Sequence, residues 1–224
     1  MTHTAQLVHI TPNAEDLIAF MARVSNPSNQ TNTKGLSLRD YTETSAKLIK
    51  YLIDHNHWSP FEMVNLCVEI NTTRSIAAQI LRHRSFSFQE FSQRYADVTT
   101  IGTPVIPALR KQDLKNRQNS TDDLSTDKKE IFMRRIGQLY AESEDLYREM
   151  VSSGVAKECA RDVLPMSSPS RLYMNGTVRS WLHYCDLRTA HGTQREHAVI
   201  AGKVQDILYS QMPNVCNAMW DKDV

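Results

Sequence analysis

Apolar residues recur along this 224-residue chain at two different periods, and their order lays out a mixed fold of helices and strands. Residues 6–10 predict a short strand, which Thr11-Pro12-Asn13 ends before a helix over 14–24 carrying Leu17, Ile18 and Met21 on one face. The polar stretch from Asn26-Pro27 predicts a loop, and a second helix over 38–54 turns Tyr41, Leu48 and Leu52 inward. Residues 55–60 predict a turn, because the residue before Pro60 is pushed out of helical geometry. Val64, Leu66, Val68 and Ile70 alternate along a strand over 63–70. Thr72 or Thr73 then caps a helix running to about 84, with Ile76 and Ile80 inward and Gln79, Arg82 and His83 sharing another face. Residues 110–130 are dominated by Lys, Asp, Asn, Gln and Ser and predict a mobile surface excursion, not a linker between domains. Beyond it come helices over 126–151 and 156–163, a strand over 172–177, a helix over 178–187, and a last helix over 194–211.

With 41% hydrophobic and 23% charged residues the chain is long enough for one substantial core, so residues 1–224 are expected to form one domain. No apolar run is long enough to span a bilayer, and the first residues lack a cationic stretch leading into an apolar block. A cytoplasmic protein is therefore expected, with no membrane partner. The net charge of +1 argues against binding nucleic acid through a basic surface. Cys67, Cys159, Cys185 and Cys216 are scattered, which favours reduced, mostly packed thiols. The triplet His55-Asn56-His57 has no supporting acid or histidine set at ligand spacing, so no metal site is expected.

The chemistry concentrates in Arg82-His83-Arg84-Ser85-Phe86-Ser87-Phe88-Gln89-Glu90-Phe91-Ser92-Gln93-Arg94-Tyr95. Guanidinium groups make forked, charge-assisted hydrogen bonds to phosphate oxygens, and hydroxyls and loop amides complete such a cradle. The interleaved aromatic residues suit a planar ring as well. A bland alternative is a helix C-terminus whose cations complement the macrodipole, followed by a polar loop.

This segment resembles the signature of the flavin-dependent thymidylate synthases, RHR-x-x-S-x-N/Q-E-x-S-x-R-Y. It agrees at Arg82, His83, Arg84, Ser87, Gln89, Glu90, Ser92, Arg94 and Tyr95. The stretches 11–15, 22–27, 57–62 and 160–165, and Leu187-Arg188, resemble further family segments. The resemblance implies an α+β fold, a single domain with a central, mostly antiparallel sheet flanked by helices. It also implies reductive methylation of dUMP to dTMP, with 5,10-methylenetetrahydrofolate as carbon donor and NADPH-reduced FAD as hydride source. A homotetramer with sites shared between subunits is implied as well.

Carried over residue by residue, the dUMP site would comprise Gln79, Arg82, Glu90, Phe91, Ser92, Gln93, Arg94, Arg161 and Arg188. Arg188 would be the catalytic residue, stabilising negative charge that develops on the pyrimidine so that no protein nucleophile is needed. The FAD site would comprise Ser59, Arg82, His83, Arg84, Glu90, Thr177, Arg179 and His183. Thr177 and His183 stand where the family often has asparagine. Ser92 is read as a hydrogen-bond donor, since no Ser–His–acid arrangement is legible. Two other readings are a non-catalytic nucleotide- or RNA-binding module using the Arg/aromatic cluster, and a flavoprotein that no longer transfers methyl groups. The presence of both Arg161 and Arg188 weighs against the second.

Overall fold

The hydrophobic alternation of residues 64–70 becomes the centre of a four-stranded sheet. The computed structural model describes residues 3–26, 28 and 38–221, with side chains from residue 43 onward in the helix that starts at Leu38. The side chain of Tyr41 and most of the loop after Asn26 lie outside what is described.

Strands β1 (Thr4–Ile10), β2 (Asn65–Thr73), β3 (Ser87–Glu90) and β6 (Pro169–Thr177) are arranged in the order β1-β2-β6-β3. Every neighbouring pair is antiparallel. Val68 faces Met174 and Ile70 faces Leu172 across β2 and β6, and Phe88 of β3 faces Met174 from the other side. Leu66, Val68, Ile70, Leu172 and Met174 are all fully buried, as a period-2 pattern with one covered face requires.

Around this sheet lie α1 (Ala14–Ala22), α2 (Leu38–Asp54), α3 (Arg74–Ile80), α6 (Val178–Thr189), α7 (Arg195–Gln211) and α8 (Pro213–Trp220). Their apolar faces, among them Ile18, Ile49, Trp181, Ile200 and Val215, close the main core. α6 is pinned to the sheet by Trp181, whose indole N–H donates to the Leu66 carbonyl at 3.1 Å. A smaller cluster of Val98, Tyr147, Ala160 and Leu164 joins the long α4 (Thr126–Ser152) to α5 (Lys157–Ala160).

Three departures from the sequence pattern matter for the site. α3 stops at Ile80 instead of running to 84. Its last bonds tighten to i→i+3 spacing (Arg82 N to Gln79 O, 3.3 Å; His83 N to Ile80 O, 3.0 Å). Arg82 and His83 therefore leave on a turn and do not share a helical face with Gln79. The turn lets His83 and Phe86 reach Tyr184 and Trp181, at ring separations of 5.0 and 4.8 Å. Second, the signature itself contains β3, a four-residue edge strand. Third, the polar excursion is folded into a ribbon of β4 (Lys111–Gln112) and β5 (Ser120–Thr121). Arg110, at its base, is clamped by Glu196.

Candidate functional site

β3 divides the signature into two groups of side chains. Before it, Arg82, His83 and Arg84 sit in the turn after α3; after it, Phe91 to Tyr95 run towards α5.

The first group is held by α6. Thr177 caps this helix, its hydroxyl accepting from Ser180 N at 3.3 Å, and Arg188 lies in the last turn. Arg188 Nε donates to His83 Nε2 at 2.9 Å. Burial, reinforced by the positive charge of Arg188, pushes the His83 imidazole down to about 4. It is thus neutral near pH 7 and accepts from the guanidinium through a bare nitrogen. No hydrogen-bond acceptor among the described residues meets the Nη atoms of Arg188, which leaves that end of the fork for a ligand.

Behind this pair Tyr184 and His197 are buried. His197 Nε2 lies 3.2 Å from the Tyr184 hydroxyl and Nδ1 lies 3.3 Å from Gln79 Oε1. Burial, and the nearby Arg188, lower the His197 imidazole to about 4. Neither Tyr184 nor His197 stood out in the sequence. Nothing in the pattern announced that they meet each other or Gln79.

The outer face of α6 lines a cleft of about 700 Å³ with Trp58, Glu62, Ser85, Thr177, Arg179 and His183 among its walls. Three residues expected at the flavin, Thr177, Arg179 and His183, thus share one cavity of the size common for small-molecule sites. Arg179 is paired with Glu62 at its mouth. Arg82 and Arg84 are exposed on the turn that precedes Ser85. Ser59 faces elsewhere, into a separate apolar depression with Phe20, Met21 and Met63, although Trp58 and Glu62 on either side of it reach the main cleft.

One close approach keeps this turn in place. The Phe86 ring lies over Gly176 so tightly that a Cβ there would come within 2.4 Å of it. Only glycine leaves room for the ring between β6 and Trp181.

The second group is built differently. Phe91 N continues the sheet by donating to Arg171 O at 2.8 Å, and Glu90 accepts from the Ser170 hydroxyl at 2.7 Å. Ser92 is exposed, and its carbonyl starts a tight turn by accepting from Tyr95 N and Ala96 N. Arg94 is 68% exposed and rests on Glu158 at 2.9 Å. Lys157 Nζ donates to the Tyr95 carbonyl at 3.2 Å, so the start of α5 stands against the signature loop, with Arg161 one turn on. Buried Nε of Arg161 and both amide atoms of the buried Gln93 have no hydrogen-bond partner among the described residues. Arginine, hydroxyl and amide groups of this kind are suited to an anion.

The cysteines make none of these contacts. Burial raises the Cys185 thiol strongly and raises Cys216 to about 12, which leaves both protonated and unreactive. Cys159 is exposed on α5.

Comparison with known proteins supplies an independent line. The sequence profile of the family described as thymidylate synthase complementing protein matches residues 6–214. The chain is 47% identical over 216 residues to a probable flavin-dependent thymidylate synthase of Paramecium bursaria Chlorella virus 1, covering 96% of this chain and 95% of that one. It is also 47% identical over 205 residues to the flavin-dependent thymidylate synthase of a Synechocystis species, covering 92% and 89%. Among solved structures it resembles a UMP/dUMP methylase from Streptomyces cacaoi bound with 5-Br dUMP, with a TM-score of 0.81 at 27% identity. That match covers 96% of this chain and 93% of the other.

Proposed function

The chain belongs to the family of thymidylate synthase complementing proteins, that of the flavin-dependent thymidylate synthases, and from this premise we propose that it methylates dUMP to dTMP. The carbon donor would be 5,10-methylenetetrahydrofolate. FAD, reduced by NADPH, would supply the hydride.

The observation that carries the reading is the Arg188–His83 pair beside the 700 Å³ cleft. A guanidinium held at Nε by a neutral imidazole keeps its charge and its Nη donors for an incoming ring. Negative charge developing on the pyrimidine would be met by a cation already in place, which lowers the barrier without a thiol or hydroxyl nucleophile. The buried, protonated Cys185 and Cys216 agree with a reaction that does not use them.

The cleft fits FAD by its donor set. Thr177, Arg179 and His183 would hold it, while Trp58 offers an aromatic wall; His83, Arg84, Arg82 and Glu90 would approach it from the signature, and Ser59, which faces a separate depression, would reach it only by turning. At the far end of β3, Arg94 and Arg161 would grip the nucleotide phosphate, with Ser92 and the amides of Phe91 and Gln93 beside it. Glu90, Arg82 and Gln79 would complete the dUMP site.

A homotetramer with shared sites is part of the proposal. Phe132, Leu139 and Leu146 are exposed at seven-residue spacing along α4, a stripe suited to another helix and costly to leave in water. The RNA-binding reading is weaker. Phe86 packs against Trp181, and Tyr95, at 87% exposure, is the signature's one broadly exposed ring, so no stacking platform is displayed.

Purified protein should show a bound flavin spectrum, or take up added FAD. It should then form dTMP from dUMP, methylenetetrahydrofolate and NADPH. Colourless protein that stays inactive with FAD would overturn the proposal.

A further inference from the structure

Behind the candidate pyrimidine site runs a chain of hydrogen bonds whose direction is fixed from one end. Arg110 forks onto Glu196, Nη1 to Oε1 at 2.7 Å and Nη2 to Oε2 at 2.9 Å. Burial alone would raise the Glu196 carboxyl, but the bonds from Arg110 override it and hold it at about 2, so it is ionised and only accepts. Gln194 must then turn its amide nitrogen to Glu196 Oε2, at 3.0 Å, and offer its oxygen to Gln79 Nε2, at 2.7 Å. Gln79 in turn must offer its oxygen to His197 Nδ1, at 3.3 Å. An amide oxygen cannot donate, so Nδ1 carries the proton. The neutral ring is then bare at Nε2 and accepts from the Tyr184 hydroxyl at 3.2 Å. Donors therefore run one way, from Tyr184 through His197, Gln79 and Gln194 to Glu196, and aligned bonds of this kind reinforce each other.

The consequence falls on Gln79. A glutamine amide is free to flip and so reads donors and acceptors equally well, but here its oxygen is occupied from behind. One of its two N–H groups is used by Gln194 and the other is left. Gln79 is joined through His197 to the surroundings of Arg188 at this end of β3, whereas Arg94 and Arg161 lie at the opposite end.

We infer that His197 is a positioning residue which locks Gln79 as a hydrogen-bond donor towards a carbonyl oxygen of the pyrimidine, so that the site accepts uracil-type rings and rejects rings bearing an amine there. This rests on the dUMP reading above. The anchor at Arg110 extends the same control to the base of the β4–β5 ribbon.

Two measurements on the full-length protein test it. Nitrogen-15 NMR of the histidines, without any nucleotide, should show His197 as the Nδ1–H tautomer at pH 7; the Nε2–H tautomer or a charged ring would overturn the inference. Calorimetric binding then separates positioning from packing. His197→Leu should weaken dUMP binding about tenfold and narrow the preference for dUMP over dCMP, whereas His197→Asn, which keeps a donor where Nδ1 stood, should restore most of both. In a Gln79→Ala background His197→Leu should cost nothing further, since the two act as one unit. Equal loss in His197→Leu and His197→Asn, or full additivity with Gln79→Ala, would mean a merely structural histidine. Wild-type protein that fails to bind dUMP would instead overturn the substrate reading, and the tautomer would still be decided by NMR.

Discussion

The two ends of β3 contrast in how much of their work is done before a ligand arrives. At the Arg188 end the cation is bonded to a neutral histidine whose ring meets Phe86 and the buried Tyr184, with buried His197 behind them. At the Arg94 end the cation leans on an exposed glutamate, Ser92 is open to water, and Arg161 and Gln93 hold buried polar atoms with no hydrogen-bond partner among the described residues. A group that must stabilise charge in a transition state benefits from being fixed beforehand, because no reorganisation is then needed when the charge forms. A group that binds a phosphate already charged in solution can exchange a surface partner for it at small cost. The difference suits the activation proposed for one end and the anchoring proposed for the other.

The largest effect that would sharpen this contrast is at the fixed end. Arg188→Ala should lower kcat by a factor of about 100 to 1,000 while bound flavin, read from the absorbance spectrum, is retained. Unchanged kcat would remove the activation role.

Next is the scaffold beneath that end. Gly176→Ala forces the Phe86 ring, which Trp181 keeps from swinging away, to move. Overpacking of this kind costs about 1–3 kcal/mol, and urea unfolding should show it together with a loss of turnover. A variant as stable and active as the parent would mean the contact does not hold the turn.

The neutral imidazoles give a third expectation. His83 and His197 titrate near 4 in the folded protein, below their ordinary value of 6.5, so the unfolded chain binds more protons between those limits. Their contribution is complete above about pH 6.5 and is lost as pH falls towards 4. The melting temperature should decline through that window, and less steeply in His197→Asn. A flat profile would show that these rings are not held neutral.

The smallest effect belongs to the loose end. Glu158→Ala releases Arg94 from a surface pair, so KM for dUMP should fall, by less than about fivefold. A rise in KM would show that Glu158 helps to place Arg94.

Sequence and structure agree where local pattern decides and part where distant residues meet. The helix at Leu38–Asp54 and the alternation around Leu66 and Ile70 follow from spacing, because one face of each is buried. α3 ends early because aromatic packing on α6, about a hundred residues away, draws His83 and Phe86 out of helical register. β3 is only four residues long and three of the four are polar, so no period could mark it as a strand. α8 was missed because Pro213 reads as a terminator, whereas it occupies the first turn of a new helix, where its missing N–H costs nothing. Signature residues were legible one by one, and their division by β3 was not. The Tyr184–His197–Gln79 chain was invisible because it joins residues from three separate helices.

The two ends of β3 are proposed to read two parts of one nucleotide. Calorimetry with dUMP and with deoxyuridine, which lacks the phosphate, measures this in wild type, Arg94→Ala and Arg188→Ala. The preference for dUMP should shrink about 10- to 100-fold in Arg94→Ala, since a charge-assisted contact to phosphate is lost, and should persist in Arg188→Ala. A preference unchanged in Arg94→Ala, or reduced equally in both variants, would contradict the division.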